Sequence, residues 1–181
     1  MIGHFTKGRV YVFVDAANIL YSQHTLGWRV DYEKLKAYFE TECDLRDIYF
    51  YTGRIGADSK QQSFLDKLQS FGYVVKAKEV KRIRVAENAF EWKGNLDVEL
   101  TIDVLKNIAN FDTLVLMSGD SDFAALLDNV KEAGKRVIVM STKGHVAKEL
   151  LERAKYLNLK KLRGEISYHK NKIPPGKGGE V

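Results

Sequence analysis

Two apolar, β-branched runs that end abruptly in polar and acidic residues constrain this chain most. Residues 10–14 lead into Asp15 in VYVFVDAAN, and residues 113–117 lead into Ser118, Asp120 and Asp122 in TLVLMSGDSD. Runs without polar alternation suit strands buried on both faces, as in a parallel sheet, whose carboxyl ends deliver the next residues to a shared rim. A third acidic stretch, KGNLDVELTID, adds Asp97 and Asp103. Carboxylates gathered on one rim repel each other unless a positive charge sits among them. A hard divalent cation such as Mg²⁺ or Mn²⁺ meets that need, because it prefers oxygen ligands and also binds phosphate.

Strand and helix patterns alternate along the rest of the chain. Strands are predicted at 9–14, 45–51, from 73, at 113–117 and 136–140, with a weak edge strand at 157–161. Between them, 31–43 reads as a helix with Tyr32, Leu35, Phe39 and Cys43 on one face. Asp58 or Ser59 can cap a helix carrying Phe64, Leu65, Leu68 and Phe71. Asp97 can cap a helix that turns Val98, Ile102, Leu105 and Ala109 inward, and Ser121 one that buries Phe123, Leu127 and Val130. A last helix is expected at 145–156. The alternation predicts a three-layer α/β/α domain with a mostly parallel central sheet. Ligands in such sheets sit at the carboxyl ends of the strands, beside the topological switch point. If the first and fourth predicted strands are neighbours, Asp15, Asp120 and Asp122 meet in one crevice.

The 181 residues suit one domain. We expect an N-terminal tail at 1–8, the domain at 9–164, and a disordered tail at 165–181, where HKNKIPPGKGGEV is rich in Pro, Gly and Lys. The formal charge of +5 modestly favours a polyanionic partner. A single cysteine, Cys43, cannot form an internal disulfide and points to a packing role in a reduced, cytoplasmic compartment. No stretch reaches the roughly 18 apolar residues of a membrane span. The four histidines, His4, His24, His145 and His169, lack metal-ligand spacing, which disfavours zinc. Self-association into a homo-oligomer stays open.

Three segments in order carry a family resemblance: VDAAN ending at Asn18, KGNLDVELTIDVL from Lys93 to Leu105, and SGDSDFAALL from Ser118 to Leu127. Together they resemble the NYN domain, a branch of the PIN-like nuclease superfamily that includes LabA-like bacterial proteins. KGNLD is one residue longer than the family's KGxD. The resemblance implies a PIN-like (Rossmann-like) fold and divalent-metal-dependent hydrolysis of RNA phosphodiesters; the alternative is a non-catalytic LabA-like RNA-binding or regulatory module. Asp15, Asp97, Asp120 and Asp122 are assigned as direct or water-mediated metal ligands. Asn18 and Ser118 either orient a ligand and the scissile phosphate or bond backbone in their turns. Asp97 and Asp122 have a plainer rival role as stabilisers of helix N-termini. Asp103 is a weaker candidate ligand, since six helical residues turn it about 120° from Asp97.

Ahead of Asp97, the segment VKAKEVKRIRVAENAFEWKG places Lys76, Lys78, Lys81, Arg82, Arg84 and Lys93 among Phe90 and Trp92. This mixture suits single-stranded RNA, with cations tracking phosphate and aromatic faces stacking on bases. An amphipathic hairpin with solvated cations accounts for the same pattern. Other enzyme classes fit poorly. A dinucleotide enzyme would carry G-x-G-x-x-G after the first strand, and a phosphatase using Asp15 would need a second acid where Ala17 stands.

Overall fold

The computed structural model describes residues 1–168 apart from 55, 57, 87–88 and 94–95, and gives only the backbone for 81–86 and 89–93. Its centre is a six-stranded parallel sheet built from β1 (Arg9–Asp15), β2 (Asp44–Arg54), β3 (Val74–Glu79), β6 (Thr113–Met117), β7 (Arg136–Ser141) and β8 (Lys155–Asn158). The order is β3-β2-β1-β6-β7-β8, so the first strand lies beside β6 and the winding reverses between them. The adjacency on which the shared rim depends is therefore present. Between β3 and the next helix, β4 (Lys81–Ala86) and β5 (Ala89–Lys93) form a separate antiparallel pair.

Strand periodicity divides the core into two layers. Val10, Val12 and Val14 point to one face, against Ile19 of α1 (Ala16–Leu26), Leu35 and Phe39 of α2 (Tyr32–Glu42), and Leu65 and Leu68 of α3 (Ser59–Ser70). Tyr11 and Phe13 point to the other, against Leu100 and Val104 of α4 (Asp97–Lys106) and Leu127 and Val130 of α5 (Ala124–Glu132). Two short helices, α6 (Lys148–Leu151) and α7 (Arg163–Ile166), complete the architecture. Among the described residues no helix is long and apolar enough to cross a membrane.

Several local expectations are corrected. The turn expected at Asn18 is the first turn of α1, which ends at Gly27 in a left-handed conformation (φ 71°). Its apolar pattern is faint because Ile19 is buried while Leu20 and Tyr21 are exposed. On α4 the expected inward face is reversed: Leu100 and Val104 are buried, whereas Val98, Ile102 and Leu105 are exposed. Both sets recur at helical spacing, so periodicity alone could not choose between them. Leu96 next to the helix, also buried, extends the true inward stripe. The helix expected over 145–156 is only α6, because the chain turns at Arg153 and Ala154, whose amides donate to Leu150 O, and enters β8.

The chain ends also depart from expectation. Ile2, within the expected tail 1–8, is buried, and its amide donates to the Tyr38 hydroxyl at 3.1 Å. Ile166 is buried too, and Ser167 pairs with Val30, so the expected tail 165–181 begins as packed structure. Its remainder from 169 lies outside the described residues.

The reversed face of α4 has a direct test. Leu100→Ala should cost about 2–5 kcal/mol by cavity formation, whereas Val98→Ala should stay within about 0.5 kcal/mol, as read by urea denaturation. A larger loss in Val98→Ala than in Leu100→Ala would restore the face expected from periodicity.

Candidate functional site

The site grows from the pairing of β1 and β6. Val14 lies opposite Met117, so Asp15 and Ser118 leave the two strands side by side. The buried Ser118 hydroxyl donates to Asp15 Oδ2 at 2.9 Å and accepts from the Asp120 amide at 3.2 Å. Asp120 in turn accepts from the Asp122 amide at 3.0 Å through Oδ1. Asp120, rather than the expected Ser121, thus caps the 3₁₀ turn Ser121–Phe123. Asp15 caps α1 by accepting from the Asn18 amide at 3.2 Å, and Asn18 Oδ1 lies 3.4 Å from the Ser141 hydroxyl at the end of β7.

The acid from α4 enters from the opposite layer. Asp97 occupies the first turn of that helix, while Leu96 takes the cap position that Asp97 was expected to hold. Its carboxylate meets those of Asp120 and Asp122: one oxygen from each lies within 4.8 Å of the other two. Asp15 and Asp97 line one small cleft of about 40 Å³ together with Tyr51, Gly53 and Leu100.

Burial raises the Asp15 carboxyl above its ordinary value of 3.8; the Ser118 hydroxyl and the Asn18 and Ala17 amides oppose that rise, and the nearby Asp120 charge adds to it. The local donors are carboxylate and hydroxyl oxygens, the set preferred by Mg²⁺ or Mn²⁺ rather than by a softer metal. Opposite ligands of an octahedral Mg²⁺ stand about 4.2 Å apart, at twice its bond length of roughly 2.1 Å. Neighbouring ligands stand about 3.0 Å apart, so the three oxygens, now within 4.8 Å of one another, would draw closer around such an ion.

Asp103 is engaged elsewhere. It accepts from the buried Tyr51 hydroxyl at 2.9 Å and lies 3.7 Å from Lys76 Nζ. Burial and the Asp103 charge both push the Tyr51 phenol upward, so it remains a donor to this carboxylate. On the hairpin the backbone pairs Arg82 with Trp92, Arg84 with Phe90, and Lys81 with Lys93. The side chains of Lys81, Arg82, Arg84, Trp92 and Lys93 lie outside the described residues.

The support for the Ser118–Asp122 turn comes from Gly119, which no motif singled out. A Cβ at Gly119 would fall 1.7 Å from the His145 carbonyl oxygen, so only glycine lets the loop after β7 lie against that turn. The Ala147 amide donates to Gly119 O at 2.9 Å, and Ser141 Oγ lies 3.2 Å from His145 O. Ser141 could have been found by the same signal as Asp15 and Ser118: a polar residue where an apolar strand ends.

Fold and site together define an α/β domain with a carboxylate cluster at the switch point of a parallel sheet. The chain belongs to the NYN domain family, whose model matches residues 9–160. It is 32% identical over 167 residues, covering 90% of this chain and 89% of its relative, to the "Low amplitude and bright protein LabA" of Synechococcus elongatus. A solved structure of a protein of unknown function from Vibrio parahaemolyticus shares the fold, with a TM-score of 0.74 at 22% identity over 90% of this chain and 97% of that one.

The raised Asp15 carboxyl makes a pH-dependent prediction for the metal-free protein. Well below the ordinary value of 3.8, Asp15 is protonated in both the folded and unfolded states and carries no penalty. As pH rises toward the raised native value, the unfolded chain loses this proton first and stability falls; above that value the loss is complete. Asp15→Asn, which keeps an acceptor for Asn18 and Ser118, should therefore gain on wild type across that window in chelator. Parallel stability curves in urea from pH 3 to pH 7 would contradict the assignment.

Proposed function

We propose that this protein is a divalent-cation-dependent ribonuclease that hydrolyses phosphodiester bonds of single-stranded RNA. The observation that carries this reading is the meeting of Asp97, Asp120 and Asp122 beside Asp15, in a chain of the NYN family. Asp15, Asp97, Asp120 and Asp122 would hold Mg²⁺ or Mn²⁺. A cation bound there would lower the pKa of an attacking water and neutralise charge developing on the phosphate. Ser118 fixes the orientation of the Asp15 carboxylate through its hydroxyl, and Asn18 joins the same corner to β7. Asp103, held by Tyr51 and Lys76, is the least suited of the five acids to ligate an ion.

Substrate would reach the acids along the hairpin, where Lys81, Arg82, Arg84 and Lys93 neutralise phosphate and Trp92 stacks on a base. Cys43 is consistent with work in the reducing cytoplasm: it has no disulfide partner, and burial pushes its thiol up to about 11, away from reactivity.

Asp120→Asn and Asp122→Asn should each lower Mn²⁺-supported cleavage by on the order of a hundredfold or more, beyond typical losses from disturbing a ligand's neighbours, while melting as folded proteins. Unchanged rates in both would contradict the site. RNA binding without cleavage by wild type would return the protein to the non-catalytic RNA-binding alternative. Neutralising Lys81, Arg82 and Arg84 together should flatten the dependence of log affinity on log salt by about 2, at roughly 0.7 per phosphate contact. An unchanged slope would move the RNA path off the hairpin.

A further inference from the structure

An aromatic side chain on the helix that opens at Asp15 has no role in the core. Tyr21 on α1 is 68% exposed and belongs to neither core layer. Exposed tyrosines are common on helices, but this one is held. Its ring meets the His145 ring edge-on at 5.1 Å and 78°, and His145 Nε2 lies 2.5 Å from Thr25 Oγ1 one turn further along the same helix.

Asn18, Tyr21 and Thr25 are spaced i, i+3 and i+7, forming one stripe of α1. That stripe begins at the candidate site, where the Asn18 amide bonds to Asp15, and runs alongside the loop that also supports Gly119. Tyr21 stands about 9 Å further along the helix axis than Asp15 and about 120° around it, on the side that meets the loop after β7. The same loop presents an exposed Lys143 two residues before His145. A held aromatic surface and an exposed cation, on a helix and a loop that both adjoin the acidic corner, match what single-stranded nucleic acid requires next to a scissile phosphate: a place to stack a base and a charge to follow the backbone.

We propose that Tyr21, braced by His145, is a stacking platform for a base of single-stranded RNA flanking the acidic corner. This rests on the nuclease reading but invokes a surface separate from the β4–β5 hairpin. Fixing the ring before RNA arrives reduces the ordering cost of stacking. Lys143 would contact the adjoining phosphate.

The test uses short single-stranded RNAs carrying 2-aminopurine at successive positions, titrated with the full chain in an Asp122→Asn background, with and without Mg²⁺. One or two adjacent probe positions should quench on binding. Tyr21→Ala should weaken affinity about tenfold, abolish quenching at those positions, and leave the salt slope and the melting temperature unchanged. Tyr21→Phe and Tyr21→Trp should retain the quenching and bind within about twofold of the parent. Lys143→Ala should retain the quenching but reduce the salt slope. RNA binding with the same affinity and quenching in Tyr21→Ala as in the parent overturns the platform alone and leaves the nuclease reading standing. Failure of wild type to bind or cleave any RNA overturns both. A loss in Tyr21→Phe as large as in Tyr21→Ala also overturns the platform, because it would show that the hydroxyl rather than the ring is used.

Discussion

The parallel pairing of β1 with β6 is the constraint from which the rest of the site follows. In this register Val14 faces Met117, and the next residues, Asp15 and Ser118, share a hydrogen bond. A slip of one residue would send Val10, Val12 and Val14 into the layer that holds Tyr11 and Phe13, so the two-layer core fixes the register. The winding of the sheet reverses at this pair, leaving room at its carboxyl end for α1, the Ser118–Asp122 turn and the first turn of α4 to converge.

That convergence carries an electrostatic cost. Burial raises the Asp15 carboxyl above its ordinary value, and the Asp120 charge adds to that rise. The Ser118 hydroxyl and the amides of Ala17, Asn18 and Asp122 offset part of the cost by pointing donors at these carboxylates. A cap hydrogen bond does not exclude ligation, because each carboxylate oxygen has two lone pairs: Asp120 accepts from its helix through Oδ1, and Asp15 accepts from the Asn18 amide through one oxygen and the Ser118 hydroxyl through the other. Capping and metal binding were rival roles for acids at helix starts, and the geometry leaves room for both.

Much of this was legible from the sequence because burial on both strand faces leaves a strong mark. The runs before Asp15 and Ser118 announced β1 and β6, and the alternation of elements announced a parallel sheet. Patterns went astray where two faces were equally apolar or where a helix was barely amphipathic. Leu100 and Val104 compete with Val98, Ile102 and Leu105 on α4, and only the position of the sheet decides which set is buried. Helix α1 was hidden because Leu20 and Tyr21 are apolar yet exposed. The fit of Gly119 under His145, and the hold of Tyr51 and Lys76 on Asp103, are contacts across long stretches of chain that no local spacing reports.

The central claim is that the aspartates form a cation site rather than a set of helix caps. Thermal and urea unfolding of wild type and Asp120→Asn, in chelator and in saturating Mn²⁺, tests it most directly. At about 100 times its dissociation constant Mn²⁺ should add roughly 2.7 kcal/mol to wild type by mass action. Asp120→Asn should lose most of that gain while matching or exceeding wild type in chelator, since it removes repulsion. A wild-type protein whose stability ignores Mn²⁺, with Asp120→Asn weaker in chelator, would show caps and no cation site.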